Sequence, residues 1–332
     1  MTTLADVTDF PGARARPLDD EPFLLKIEAA EPGLRLAPWI ARHHGRVQAG
    51  LDRYGVLLFR GFDVPDPEAF GQAARAVSSD LLGYLERAAP RNEVADKVFT
   101  STELSADQWI PFHHEMSYAH NWPSYLYFYG DRPSATGGAT PVASERKVFP
   151  RIPAEVRERF LRHGVRYVRN YGPDIDIPWQ EVFQTTDRAE VEAYCRQSGT
   201  VHEWTDNDGL RTVSVRQALA EHPRTGETVW FNHAHLFHTS NLPTEVVEVL
   251  VGEYGLEGLP RNAYYGDGEQ IEDEVVALIR KLYEDASVSF AWAKGDVMAV
   301  DNFLAMHARE PFQGDRRILV AMSDLYVHPD HR

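Results

Sequence analysis

The sequence predicts a mostly β protein, a β-sandwich or jelly roll with helices inserted between its strands. Three observations carry this. Short apolar runs rich in β-branched and aromatic residues recur between residues 55 and 325, each about the length of one buried strand. Helix-period segments interrupt them, yet the strict strand–helix alternation of a parallel α/β fold is absent. No internal repeat, low-complexity tract or linker divides the 332 residues, so residues 23–332 are expected to form one domain.

Residues 1–22 are polar and carry Pro11, Pro17 and Pro22, which predicts an irregular N-terminal arm. Gly55–Phe59 (GVLLF) reads as a buried strand closed by Arg60 and Gly61. Asp66–Leu82 opens on Asp-Pro and continues with apolar residues at helical intervals, so it reads as a helix. Ser124–Tyr129 (SYLYFY) is a second strand, and Pro153–Gly164 has the Pro-first, Gly-last asymmetry of a helix. Val165–Asn170 alternates as a strand, and Glu227–His238 reads as one or two strands. Pro243–Tyr254 and Glu272–Ala286 read as helices; Val297–Val300 and Ile318–Leu325 read as late strands.

Composition narrows the function classes. Net charge is −16, from 34 basic and 50 acidic residues. That balance repels polyphosphate, so neither nucleic acid nor a membrane surface is an expected partner. A single cysteine, Cys195, excludes an intrachain disulfide and any multi-cysteine zinc or iron–sulfur site. The N-terminus lacks a basic start followed by an apolar core, and no apolar run is long enough to span a bilayer. A cytoplasmic protein with a small-molecule substrate is expected, and a homo-oligomer is compatible with this composition.

Chemistry concentrates in Gln108–Tyr118 (QWIPFHHEMSY) and Asp301–Ile318 (DNFLAMHAREPFQGDRRI). In an extended segment, residues i and i+2 share a face, so His113 and Glu115 converge while His114 points away. With a distant His307 they make two imidazoles and one carboxylate, a set that leaves coordination positions open on a non-haem iron. The stretch Arg309–Asp315 looks like a turn, after which Arg316-Arg317-Ile318 starts a return strand. Such a hairpin would set a buried arginine beside His307.

These blocks resemble the TauD/TfdA superfamily of Fe(II)/2-oxoglutarate-dependent dioxygenases, most of all the subgroup related to the syringomycin-type aspartyl hydroxylase. The resemblance runs from Gly55 (GVLLFRGFDV) to Met322. It includes Tyr84–Arg91 (YLERAAPR), Phe99–Glu103 (FTSTE), Phe112–Tyr118 (FHHEMSY), Gly137–Pro141 (GGATP) and Tyr167–Tyr171 (YVRNY). Trp230–His238 (WFNHAHLFH), Arg261–Gly268 (RNAYYGDG) and Lys294–Met322 complete it.

The resemblance implies a double-stranded β-helix, a jelly roll like that of clavaminate synthase. It implies that His113, Glu115 and His307 bind Fe(II), that Arg317 grips the distal carboxylate of 2-oxoglutarate and that Thr140 adds a hydroxyl to that grip. It further implies oxygen as a cosubstrate, with succinate and CO2 as the by-products of hydroxylating an unactivated C–H bond. The substrate it implies is an amino acid, or an aminoacyl group on a carrier protein, in specialised-metabolite (antibiotic-type) biosynthesis. Desaturation, cyclisation or epoxidation would begin with the same hydrogen abstraction. Related halogenases carry glycine or alanine at the carboxylate position, so Glu115 argues for hydroxylation. The sulfonate-binding arginine of the taurine-type enzymes corresponds to Ala321 here.

Other residues have two readings. His233, His235 and His238 form HxHxxH, and in a strand the first two would share a face suited to zinc, as in a hydrolase; carbonyl-bonded wall residues are the plainer reading. A jelly roll that binds a metal or small molecule without turnover is a further alternative. His114-Glu115 departs from the HExxH pattern because Tyr118 stands where a second histidine is needed. Tyr118, Arg169, Asn170 and Arg309 are candidates for the substrate pocket or its support, and Arg316 reads as a surface or structural ion pair.

Overall fold

Alternation along the central strands has an unusual form: both faces are apolar. Along Asn121–Arg132, Leu126 and Phe128 pack into one core, while Tyr125, Tyr127 and Tyr129 pack into another. Arg317–Val327 repeats the pattern, with Ile318, Val320 and Met322 on the first side and Leu319 and Ala321 on the second. A sheet buried on both faces must be covered twice. The computed structural model, which describes residues 9–18, 23–83, 92–101, 104–172, 175–206 and 208–329, supplies both covers.

The major sheet has eight strands in the order Ala13–Pro17, Leu24–Ala29, Val56–Arg60, Val297–Asp301, Asn121–Arg132, Arg317–Val327, Val98–Thr100 and Glu93–Ala95. Helices Leu36–Tyr54 and Pro67–Val77 cover its outer face. A minor sheet of Ser287–Val288, Val142–Ser144, Ala305–Arg309 and Ile110–His113 covers the inner face. Two facing sheets with inserted helices are the expected jelly roll. A third sheet, Val201–Thr205, Gly209–Arg216, Val165–Tyr171 and Arg261–Tyr265, extends the molecule beyond the minor sheet.

The helices expected at 66–82, 153–164, 243–254 and 272–286 form as Pro67–Val77, Ala154–His163, Thr244–Tyr254 and Asp273–Asp285. The first is shorter than expected because Ser78 is extended. Its start is set by Asp66, whose carboxylate accepts a hydrogen bond from the Ala69 amide at 2.8 Å.

Three expectations are corrected, and one element was not foreseen. The N-terminal arm is not irregular throughout: Ala13–Pro17 pairs antiparallel with Leu24–Ala29, and its proline sits on an edge strand where no ladder donor is missed. The 19-residue helix Leu36–Tyr54, which ends at Gly55 with φ 76°, had no sequence forecast. Glu227–His238 is one short strand, Thr228–Trp230, followed by the helical turn Ala234–Phe237. Ala305–Arg309 and Arg317–Val327 are not hairpin partners but belong to the facing sheets. The Tyr84–Arg91 block, Thr102–Glu103, residues 1–8 and residues 19–22 lie outside the described residues.

Candidate active site

Pairing in the minor sheet sets His113 directly opposite His307, with ring centroids 4.2 Å apart. The strand ends there and the chain turns, with Met116 at φ 59°. Asn302 pins the turn: its Oδ1 accepts from the Glu115 amide at 2.9 Å, and its Nδ2 donates to the carbonyls of Glu115 and Pro123. Glu115 therefore reaches the histidines from a clamped turn rather than by strand alternation. One ligand atom from each of His113, Glu115 and His307 lies within 4.8 Å of the others, and Glu115 Oε2 is 3.9 Å from His307 Nε2. The His113 Nδ1–H donates to the Pro111 carbonyl at 2.8 Å, which leaves Nε2 as the metal-facing nitrogen. Two imidazoles and one carboxylate on one side of a buried space fit Fe(II) with open positions.

His114 points the other way, as expected. It is fully buried, with Nδ1 2.5 Å from the Asn302 carbonyl and Nε2 2.9 Å from the Trp230 carbonyl and 3.1 Å from Glu145. Tyr283 also donates to Glu145. This buried network anchors the segment between two metal-facing residues.

Beside the triad, Thr140, Phe128, Ile318 and Arg316 enclose a small recess that His113 and His307 also line. Arg316, not Arg317, faces it. Arg316 immediately precedes the strand Arg317–Val327 and lines the recess with Ile318, whose side chain points between the sheets. Arg317 shares parity with Leu319 and Ala321, and its Nε donates to Asp131 at 2.5 Å on the outer side. The grip expected at Arg317 is thereby corrected, as is the reading of Arg316 as an ion pair. Arg316 Nε donates to the Gly138 carbonyl at 2.9 Å, and among the described residues it pairs with no carboxylate. Burial, then the neighbouring Arg309, pulls its guanidinium down to about 10. A bound anion would relieve both effects. Thr140 is buried, and its hydroxyl accepts from Trp292 Nε1 at 3.1 Å.

Gly138 keeps this wall thin. It sits at φ 71°, and a Cβ there would lie 2.5 Å from Ser134 Oγ, 2.9 Å from Phe312 Cβ and 3.0 Å from Arg316 Cδ. Gly138→Ala is therefore expected to cost about 1–3 kcal/mol of stability from backbone strain and crowding. It should also displace the Arg316 side chain from the recess; denaturant melts would measure the loss of stability.

A cavity of about 600 Å3 opens on the other side of the triad. His113, Glu115, Tyr118 and His233 line its depth, and Phe237, Val246, Asp176 and Arg261 line its outer part. Tyr118 is thus among the residues that line this cavity. Arg169 lies behind the wall, its guanidinium 5.3 Å from the Tyr118 ring centre and 4.8 Å from that of Tyr171. Asn170 is a strand-end clasp, donating to the carbonyls of Glu257 and Leu259. Arg309 holds the loop over the recess through the carbonyls of Leu104, Ser105 and Gln108. Asp176 carried no distinctive sequence signal, and His233, Arg261 and Arg316 lay in noted motifs without being assigned to the pocket, because the four converge only through tertiary packing.

The rival histidines do not assemble. His235 Nε2 donates to the Phe112 carbonyl at 2.6 Å and His238 Nε2 to the Ile271 carbonyl at 3.0 Å, while His233 bonds Ser117 at 2.8 Å. Among the described residues only His113, Glu115 and His307 form a three-ligand group, so the zinc-hydrolase reading falls away. Burial pushes His235 down to about 3 and His233 well below its ordinary value. In the unfolded chain these imidazoles titrate near about 6.5, so below that pH unfolding takes up protons. Their contribution to stability is constant above about pH 6.5 and is expected to fall as pH drops towards 3. Urea midpoints between pH 7.5 and pH 5 should show this, and His235→Gln should flatten the slope.

Comparison with known proteins agrees with this geometry. Residues 17–322 match the family described as taurine catabolism dioxygenase TauD, TfdA family. The dapdiamide synthesis protein DdaC of Enterobacter agglomerans is 39% identical over 281 residues, 85% of each chain. A clavaminate synthase-like protein of Arabidopsis thaliana is 33% identical over 283 residues, 82% of each chain. The PvcB protein of Pseudomonas aeruginosa superposes with a TM-score of 0.57 at 16% identity, covering 95% of this chain and 92% of that one, a likeness of fold. No helix among the described residues is long and apolar enough to cross a membrane. On its sequence match across residues 17–322 and on its His-Glu-His site, this chain belongs to the TauD/TfdA family of Fe(II)- and 2-oxoglutarate-dependent dioxygenases.

Proposed function

We propose that the protein hydroxylates an unactivated C–H bond of an amino acid, or of an aminoacyl group on a carrier protein, in specialised metabolism. One observation carries the reading: the His113–Glu115–His307 group lies between the Arg316–Thr140 recess and the 600 Å3 cavity. The relative named for dapdiamide synthesis supports the metabolic setting. When bound, Fe(II) with 2-oxoglutarate and oxygen supplies the oxidising power, releasing succinate and CO2.

The chain's own residues do the rest. His113 and His307 offer imidazole nitrogens, and Glu115 offers the anionic ligand. Arg316 offers charge-assisted hydrogen bonds to the distal carboxylate of the cosubstrate, and the Thr140 hydroxyl adds another contact. Phe128, 5.0 Å from the His307 ring, and Ile318 keep that recess dry, which strengthens the electrostatic grip. Tyr118 and His233 then set how close the target carbon approaches. Residues 23–332 act as one catalytic domain in this reading. The chain's charge of −16 disfavours docking of an acidic carrier and favours a free small molecule.

The test is direct. Anaerobic protein with Fe(II) and 2-oxoglutarate should develop the visible charge-transfer band of the chelated cosubstrate. Adding oxygen with a panel of amino acids should then yield substrate-stimulated succinate and a product heavier by one oxygen. A folded, iron-loaded protein without the band, or products lacking that mass increment, would reject the reading.

A further inference from the structure

We propose that Arg261, oriented by Asp176, is the specificity element of the cavity and binds a carboxylate of an elongated, largely apolar amino-acid derivative. This rests on the reading above and names the chemical class of its substrate.

Arg261 Nη2 donates to both Asp176 oxygens, at 2.9 and 2.6 Å, so one edge of the guanidinium is spoken for and its direction is set. Both residues line the cavity, and the pair is only partly covered, at 29% and 13% side-chain exposure. Arg261 is directly opposite Arg169 in an antiparallel strand pair, so the two side chains share a face. Their guanidinium centres lie 5.4 and 5.7 Å from the Phe237 ring. Like charges directly opposed across strands are unfavourable, and the surrounding chain is strongly acidic overall. Asp176 holds one edge of Arg261, and the rest of that guanidinium stays at the cavity wall, a place for an anion in an otherwise anionic protein.

The wall between Arg261 and the metal-facing residues is aromatic and continuous. Phe237 is 5.1 Å from His233, which is 5.8 Å from His113. A ligand anchored at Arg261 would run along these rings to the triad. The opposite wall is apolar too: Val246 and Leu250 of helix Thr244–Tyr254 line the cavity, and no residue of that helix is buried. An apolar ligand body would cover part of that face. Size agrees: a cavity of about 600 Å3 falls within the range of about 300–1,000 Å3 that takes a ligand larger than a single small amino acid. An unmodified aspartate-sized amino acid would leave much of that space to water, whereas a dipeptide or N-acyl amino acid fills it.

The experiment measures binding of dipeptides and N-acyl amino acids, each paired with its methyl ester, by calorimetry. It uses apo protein and anaerobic protein loaded with Fe(II) and 2-oxoglutarate. Free acids should bind about ten- to hundredfold tighter than their esters, the range for a charge-assisted hydrogen bond. In Arg261→Gln that ratio should shrink to about one, with ester affinity little changed; Asp176→Asn should reduce it partially. Equal binding of acid and ester by the wild type overturns the proposal, as does an undiminished ratio in Arg261→Gln. Binding by no member of the panel overturns it as well. Because the comparison is made within the wild type, it stands if a variant fails to fold. Failure of the chelate band to form would count against the hydroxylase reading, while the acid-to-ester ratio on apo protein would still decide the role of Arg261.

Discussion

Glu115→Ala is expected to abolish substrate-dependent succinate formation while leaving the fold intact. Loss of a direct ligand should exceed the 10- to 100-fold effects typical of outer-shell changes at metal sites, so a drop of at least about 100-fold in turnover is expected. Stability should change little, because the turn is held through the Glu115 backbone: Asn302 bonds its amide and its carbonyl, and neither involves the carboxylate. Iron content after anaerobic loading should fall in parallel with turnover. Wild-type iron content and turnover in Glu115→Ala would remove this residue from the ligand set. Asn302→Ala gives the complementary result: the carboxylate is retained but its turn is released, so stability and activity should fall together.

The second large effect separates two adjacent arginines. Arg316→Met should weaken 2-oxoglutarate binding by about 1.5–3 kcal/mol, the range for a hydrogen bond to a charged group, or roughly ten- to hundredfold in apparent affinity. Arg317→Met should leave that affinity within about twofold, because an exposed ion pair such as Arg317–Asp131 contributes about 0–1 kcal/mol, to stability alone. Titrating the chelate band with 2-oxoglutarate measures both. The reverse ranking would mean that the strand presents Arg317 to the recess, and the assignment of Arg316 would be lost.

That pair also marks where sequence reading stopped. The RRI element identified the correct strand, but a one-residue choice of parity moves a side chain from one face of the sheet to the other. Local sequence carries no parity mark here, because the strand is apolar on both faces. The same blindness concealed Leu24–Ala29, a strand of the major sheet buried on both faces, and the helix Leu36–Tyr54, which covers that sheet. His113, Glu115 and His307 were legible because an HxE spacing followed by a distant histidine is a chemical pattern that survives without knowledge of packing. The four expected helices were legible for a related reason: their ends carry prolines, glycines and acidic residues whose backbone preferences act locally.

By itself, the sequence determined the strand-rich class, four of the helices, the metal-ligating residue types and the family. All of these rest on short-range chemistry or on motifs preserved in order. Tertiary structure alone decided that Glu115 arrives from a turn clamped by Asn302 and that Arg316 rather than Arg317 faces the recess. It also decided that His235 and His238 spend their nitrogens on backbone carbonyls, and that Arg261 and Asp176 meet at the cavity wall from 85 residues apart. The physical reason is common to all four. Each depends on which face of a sheet or turn a side chain occupies once two sheets and their covering helices are packed, and that choice is made by burial between distant segments.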